Sequence, residues 1–236
     1  VDMVKQRIAI IPARGGSKRI PHKNITEFCG KPMIAWTIQA AKESGLFDRI
    51  LVSTDDQSIA EVSKTWGAEV PFLRASYSDD HAPVSEATVS ALQQAMNHWQ
   101  ESYASVIQLM ANCPLRTADD ITQAVTQFEA QDRSFQISCF KYGWMNPWWA
   151  VKLDTEGHPE RLFPETAGQR SQDLPELFCP TGAIWIAKAD MLLKTKTFYG
   201  PNHVFEPMPW ESGVDIDDYD DIRFAEALSQ RVSVKK

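Results

Sequence analysis

With 236 residues, the chain has room for one sizeable domain, or for one domain with a small insertion. Its 31 acidic against 24 basic residues leave a formal charge of −7, which argues against a general nucleic-acid binder. No membrane span or secretory leader is expected, and Cys29, Cys113, Cys139 and Cys179, widely spaced and without a C-x-x-C pair, indicate reduced thiols in a cytoplasmic protein without structural zinc.

The first element is the short β-branched run Ile8-Ala9-Ile10-Ile11, which does not alternate and so reads as a strand buried on both faces. It stops at Pro12 and empties into a loop with Gly15-Gly16 and the cations Arg14, Lys18, Arg19 and Lys23, free of acids until Glu27. Glycines let backbone N–H groups approach phosphate oxygens, and cations on an acidic protein focus the field on one anionic ligand. The loop is neither a Walker A sequence nor G-x-G-x-x-G, and its charge density points to a triphosphate. A solvated basic turn is the alternative.

Lys31-Pro32 opens a helix with Ile34, Ile38 and Ala41 on one face, closed by Gly45. Ile50-Leu51-Val52 is a second buried strand. The Ser53-Thr54-Asp55-Asp56 cluster after it lies where open α/β sheets bind ligands, although Asp56 also suits the N-cap of a helix over Gln57 to Trp66. Val70 to Leu73 is read as a short strand, with Arg74 just beyond it and a polar loop from Ser76 to Pro83. Ser85 is read as the cap of a helix through Trp99, with Val89, Leu92 and Met96 inward. Val106 to Met110 is a central strand. Thr117 and Asp120 form a capping box for a helix carrying Ile121, Val125 and Phe128.

Phe135 to Phe140 is the next strand. Beyond it Trp144, Pro147, Trp148 and Trp149 crowd together, and Val151 to Leu153 with Asp154 to Gly157 reads as a hairpin arm. Such aromatics mark a dimer interface or a sugar-stacking wall, and the reading adopted is an interface on an inserted arm over about 141–176 within a single domain, 1–236. Gly182 to Ile186 returns to the sheet. Val214-Asp215-Ile216-Asp217 leads into a C-terminal helix to about Leu228, and Val232 to Lys236 is expected to fray. Repeated β-then-α units indicate a doubly wound, mostly parallel α/β sheet.

The segment IPARGGSKRIPHKNI resembles the N-terminal signature of the acylneuraminate cytidylyltransferases, the CMP-sialic acid synthetase family. Val52-Ser53-Thr54-Asp55, Pro114-Leu115-Arg116, Gly182-Ala183-Ile184 and Asp215-Ile216-Asp217 extend the likeness over nearly the whole chain. The resemblance implies a Rossmann-like, nucleotide-diphospho-sugar transferase-like fold. It implies transfer of CMP from CTP to the anomeric hydroxyl of a nine-carbon 2-keto sugar acid, with Mg2+ or Mn2+ and release of pyrophosphate, by a homodimer that shares an arm across its two active sites.

Such a transfer needs positioning and charge neutralisation more than covalent chemistry. Asp215 and Asp217, at i and i+2, would share one face of a strand and converge on a divalent ion, with Ile216 turned to the core. Alternatively, Asp217 only caps the last helix. By resemblance, Arg14, Ser17, Lys18 and Lys23 in the Gly15-Gly16 loop hold the triphosphate, with Asn24 and Arg74 also on the nucleotide, and the Ala13-Arg14 backbone with Ser85 reads the base. Arg14, Lys23 and Asp217 would carry catalysis. Arg74 could equally form a surface ion pair, and Ser85 could simply cap its helix. Arg170 is the candidate for a bidentate contact with the sugar carboxylate, or else an interface or surface arginine, and Gln108 could face the sugar or lie in the sheet. Departures from the family pattern at Met110-Ala111-Asn112-Cys113, Ser171 and Thr181 fall in segments that the resemblance assigns to the sugar pocket, so the sugar stays open; Arg-Ser-Gln-Asp-Leu at 170–174 also resembles the pattern of relatives acting on pseudaminic or legionaminic acid. The alternatives are another nucleotide or sugar acid, or a non-catalytic nucleotide-sensing homologue.

Overall fold

Ile8 to Ile11 forms the middle of the central strand, and each of these residues is fully buried because both faces of the sheet are covered. The computed structural model describes residues 4–75 and 84–233. The expected Ser76 to Pro83 loop and the tail 234–236 lie outside them. The elements run β1 (Val4–Pro12), β2 (Glu27–Phe28), β3 (Lys31–Pro32), α1 (Met33–Ser44), β4 (Arg49–Ser53), α2 (Gln57–Thr65), α3 (Val84–Trp99) and β5 (Ser102–Gln108). They continue with α4 (Ala118–Ala130), β6 (Phe135–Lys141), β7 (Val151–Leu153), β8 (Pro159–Arg161), β9 (Phe178–Lys188), α5 (Ala189–Thr195), β10 (Val204–Pro207) and α6 (Tyr219–Ser233). Among the described residues the main sheet has six strands in the order β10-β6-β9-β5-β1-β4. β1, β4, β5, β6 and β10 run one way, and β9 runs against both of its neighbours.

β1 alternates between two cores. Ala9 and Ile11 pack with Ile34, Ile38 and Ala41 of α1 and with Ile121, Val125 and Phe128 of α4. Ile8 and Ile10 pack with Val89 and Leu92 of α3 and Leu192 of α5. Helices therefore cover both faces, the doubly wound arrangement. The chain builds outward from β1 to β4, then crosses back to β5 on the other side of β1. That reversal opens a crevice above the C-terminal ends of the parallel strands. No helix among the described residues is long and apolar enough to cross a membrane.

Several boundaries differ from the sequence reading. Val70 to Leu73 forms no strand; only Glu69 bridges to Leu51, and Pro71 has no N–H to continue a ladder. Pro32 sits at the N-cap of α1, paired with Glu27 across a tight hairpin whose Cys29 and Gly30 both have positive φ (48° and 83°). β5 ends at Gln108, leaving Met110 in the exit loop. Ser85 lies inside the first turn of α3, and α6 continues to Ser233. β10 and α5 gave no recognised signal. β9 is antiparallel because 142–177 leaves and returns at the same end of the sheet, without a helical crossover to reverse direction. Within that excursion β7 and β8 pair as the expected hairpin, and the Trp148 ring packs edge-on against Phe163.

Candidate functional site

Three loops and one late segment meet above the C-terminal ends of the strands. The loop after β1 is held by its own backbone and by the β4 turn. Ala13 N–H donates to Ser53 O at 2.9 Å, Gly15 N–H to Asp55 Oδ1 at 2.9 Å, and Ser17 N–H to Gly15 O at 3.0 Å. A Cβ on Gly15 would stand 2.7 Å from Asp56 Oδ2 and 2.9 Å from Asp56 Cβ, so the close approach requires glycine; Gly16 has open space around it. Asn24, in a 3-10 turn over Lys23–Ile25, is buried and donates its amide to Arg14 O at 3.0 Å, closing the loop on itself.

The late segment is Val214 to Asp217. It is extended loop rather than strand, and it is clamped to the β5 exit: Ile216 N–H donates to Asn112 O at 2.8 Å, and Asn112 Nδ2 donates to Ile216 O at 3.3 Å. Ile216 is fully buried, as its place between two aspartates implied. Asp217 does not cap α6. Asp218 does, accepting from Asp220 and Asp221 N–H, while Asp221 Oδ2 accepts from the N–H groups of Asp217 and Asp218. The Asp217 carboxylate is thereby left to the site.

Lys23 joins the two parts. Its Nζ donates to Asp217 Oδ1 at 3.0 Å and to Ile216 O at 2.8 Å, and Arg19 Nη1 lies 3.7 Å from Asp217 Oδ2. Arg14, Ser17, Lys18, Arg19, Ile20, Lys23 and Asp217 line an open cleft of about 250 Å3. Arg19 belongs to this wall, a place that its charge alone did not assign it. Much of Asp215 is open to solvent, but partial desolvation and the neighbouring charges of Asp217 and Asp221 push its carboxyl above the usual carboxylate range; its own backbone and Lys23 pull the other way. The two carboxylates are hard oxygen donors of the kind a divalent cation takes, but Asp217 is drawn onto the Lys23 ammonium, from which such an ion would have to win it.

Arg74 is buried rather than a surface partner. Its backbone N–H donates to Thr54 O at 2.7 Å, and its Nε has no partner among the described residues. Burial lowers its pKa, Asp55 opposes that, and Arg14 adds to it, which places Arg74 within the electrostatic reach of both. Ser85 is buried, with its Oγ 3.5 Å from Phe198 N–H. Gln108 is fully buried in β5 and accepts from Thr88 Oγ1 at 2.6 Å, so its carbonyl end is committed to the core. Arg170 is exposed on the arm, and its guanidinium grips Asp173 at 2.8 and 3.2 Å. Of the residues singled out from the sequence, Arg14, Ser17, Lys18, Lys23 and Asp217 line the cleft, while Ala13, Gly15, Gly16, Asn24, Arg74, Ser85, Gln108, Arg170 and Asp215 do not.

Sequence reasoning missed Arg116. It is buried and donates to Ala183 O at 2.6 Å, Thr37 Oγ1 at 2.7 Å and Met110 O at 3.3 Å, and burial brings it down to about 10. Beside it, burial pushes the Cys113 thiol up to about 12. The arginine at the end of Pro114-Leu115-Arg116 was the available signal.

Residues 8–146 match a family model described as cytidylyltransferase. The chain is 34% identical over 225 residues to the pseudaminic acid cytidylyltransferase of Campylobacter jejuni subsp. jejuni, covering 94% of this chain and 96% of that protein. It is 35% identical over 205 residues to the CMP-N,N'-diacetyllegionaminic acid synthase of Legionella pneumophila subsp. pneumophila, covering 81% and 82%. Among solved structures, CMP:2-keto-3-deoxy-manno-octonic acid synthetase complexed with CTP superposes with a TM-score of 0.67 over 96% of this chain and 99% of that one; at 16% identity this speaks to the fold alone.

Proposed function

The chain belongs to the cytidylyltransferase family, and from that premise we propose that it transfers CMP from CTP to the anomeric hydroxyl of a sialic-acid-like nonulosonic acid, releasing pyrophosphate. The observation that carries this reading is the meeting of Lys23 and Asp217, 194 positions apart, at 3.0 Å across one cation-lined cleft. Arg14, Lys18 and Lys23 hold the triphosphate, with Ser17 and Asn24 keeping the loop in shape. Arg74, buried and incompletely partnered, adds charge at the nucleotide, and the base is assigned to the Ala13–Arg14 backbone and to Ser85, whose Oγ would have to give up the Phe198 N–H to reach it. Asp215 and Asp217 would hold Mg2+ or Mn2+, which would supply charge neutralisation and lower the pKa of the attacking hydroxyl. Lys23, on Asp217 Oδ1 at 3.0 Å, is within the same cleft to balance charge on the triphosphate. Catalysis by these residues is alignment and charge balance at the α-phosphorus.

The acceptor completes its site from a second copy. The arm of a homodimer, carrying Arg170, reaches the partner's cleft, and substrate replaces Asp173 on the guanidinium; Gln108 shapes that pocket from behind. The uncovered arm rings and the four free thiols support a cytoplasmic dimer. Incubation with CTP, Mg2+ and a panel of N-acetylneuraminic, pseudaminic and legionaminic acids is expected to release pyrophosphate with at least one acid. No release with any member would overturn the reading, and substitution of UTP or GTP is expected to abolish release.

A further inference from the structure

The turn leaving β4 contains a residue without a role so far. Ser53 O extends the sheet ladder to Ala13, Thr54 Oγ1 accepts from Asp56 N–H at 3.1 Å, and Asp56 caps α2 by accepting from Ser58 and Ile59 N–H at 2.7 and 3.1 Å. Asp55 does none of this. Its Oδ1 takes the Gly15 N–H at 2.9 Å, in the middle of the cation-bearing loop. Its charge also opposes the lowering of the Arg74 pKa by burial; Arg74 is 6% exposed with an unpartnered Nε.

We propose that Asp55 is a positioning residue for the triphosphate: it fixes the Gly15 segment through a hydrogen bond, so that the loop meets the ligand already oriented. An ordered loop spares the ligand the entropy of arranging it. The role deepens the nucleotide-binding reading and rests on it.

Calorimetric titrations of CTP and, separately, of inorganic tripolyphosphate into wild type, Asp55→Ala and Asp55→Asn test the proposal, alongside steady-state kinetics and melting curves. Asp55→Ala is expected to weaken both ligands about tenfold and to raise the KM for CTP in step, with kcat at saturating CTP within about threefold. Asp55→Asn retains an oxygen for the Gly15 N–H and is expected to recover much of the affinity. Unchanged affinity in Asp55→Ala would overturn the proposal. So would a fall in kcat and melting temperature with no recovery in Asp55→Asn, which is the mark of a merely structural residue. A wild type that binds tripolyphosphate but not CTP, with the Asp55→Ala loss intact, would sustain the positioning role and defeat the CTP reading; binding of neither would defeat both.

Discussion

At Asp215 the folded chain holds a proton more tightly than the unfolded chain does, because desolvation and Asp217 disfavour the charge. The sign follows by linkage. The ionised carboxylate costs stability above its folded pKa, and that cost fades as pH falls through it, in a window opening upward from the ordinary carboxylate value. Asp215→Asn is therefore expected to raise the metal-free melting temperature slightly near neutral pH, with the gain shrinking toward the ordinary carboxylate range. The same substitution is expected to abolish any stabilisation by Mn2+. Scanning calorimetry across pH, with and without the ion, checks both; a variant that melts below wild type without metal at neutral pH would contradict the account.

Among the elements, Arg116 does the joining. Its one guanidinium ties α1 (through Thr37), the β5 exit (through Met110) and β9 (through Ala183) in a buried place. The same exit loop clamps Ile216, between the two aspartates, so the pin and the site share a support. Arg116→Ala deprives Ala183 O and Thr37 Oγ1 of their guanidinium donor, leaves Met110 O to Thr37 Oγ1 and Cys113 N–H, and opens a void. The expected loss is about 2–4 kcal/mol, after relief of the buried charge. Arg116→Lys is expected to regain less than half of it, because a single ammonium cannot reproduce the planar fork. Urea unfolding of the three proteins reads both differences. Nearby, Thr117 and Asp120 form the full capping box, Asp120 N–H donating to Thr117 Oγ1 and Thr117 N–H to Asp120 Oδ2, so α4 begins where its own sequence says.

For the whole molecule, the arm poses the question of association. Trp144 is 87% exposed and Leu153 65% exposed, with Met145, Leu162 and Phe178 also uncovered, while Trp148 is occupied within the arm by Phe163 and the Pro175 carbonyl. An apolar surface of this kind calls for a partner. A dimer is expected by size-exclusion with light scattering, and Trp144→Glu is expected to shift it toward monomer. A wild-type monomer at micromolar concentration would refute the shared-arm site and leave Arg170 a surface residue.

Strands β1 and β4, helices α1, α2 and α4, and the phosphate-like loop were readable because their causes lie within a turn or two of chain: β-branched runs, the Gly45 stop, the Asp56 cap, the Thr117 box. The family was readable too, because its motifs are contiguous. What the tertiary structure decided was everything that depends on contact between distant segments: the meeting of Lys23 and Asp217, the division of labour between Asp55 and Asp56, the burial of Arg74 and Arg116, and the reversed direction of β9. Local propensity carries no information on strand order. That order alone determines which loops share the crevice above β1 and β5, and so which charges face one another.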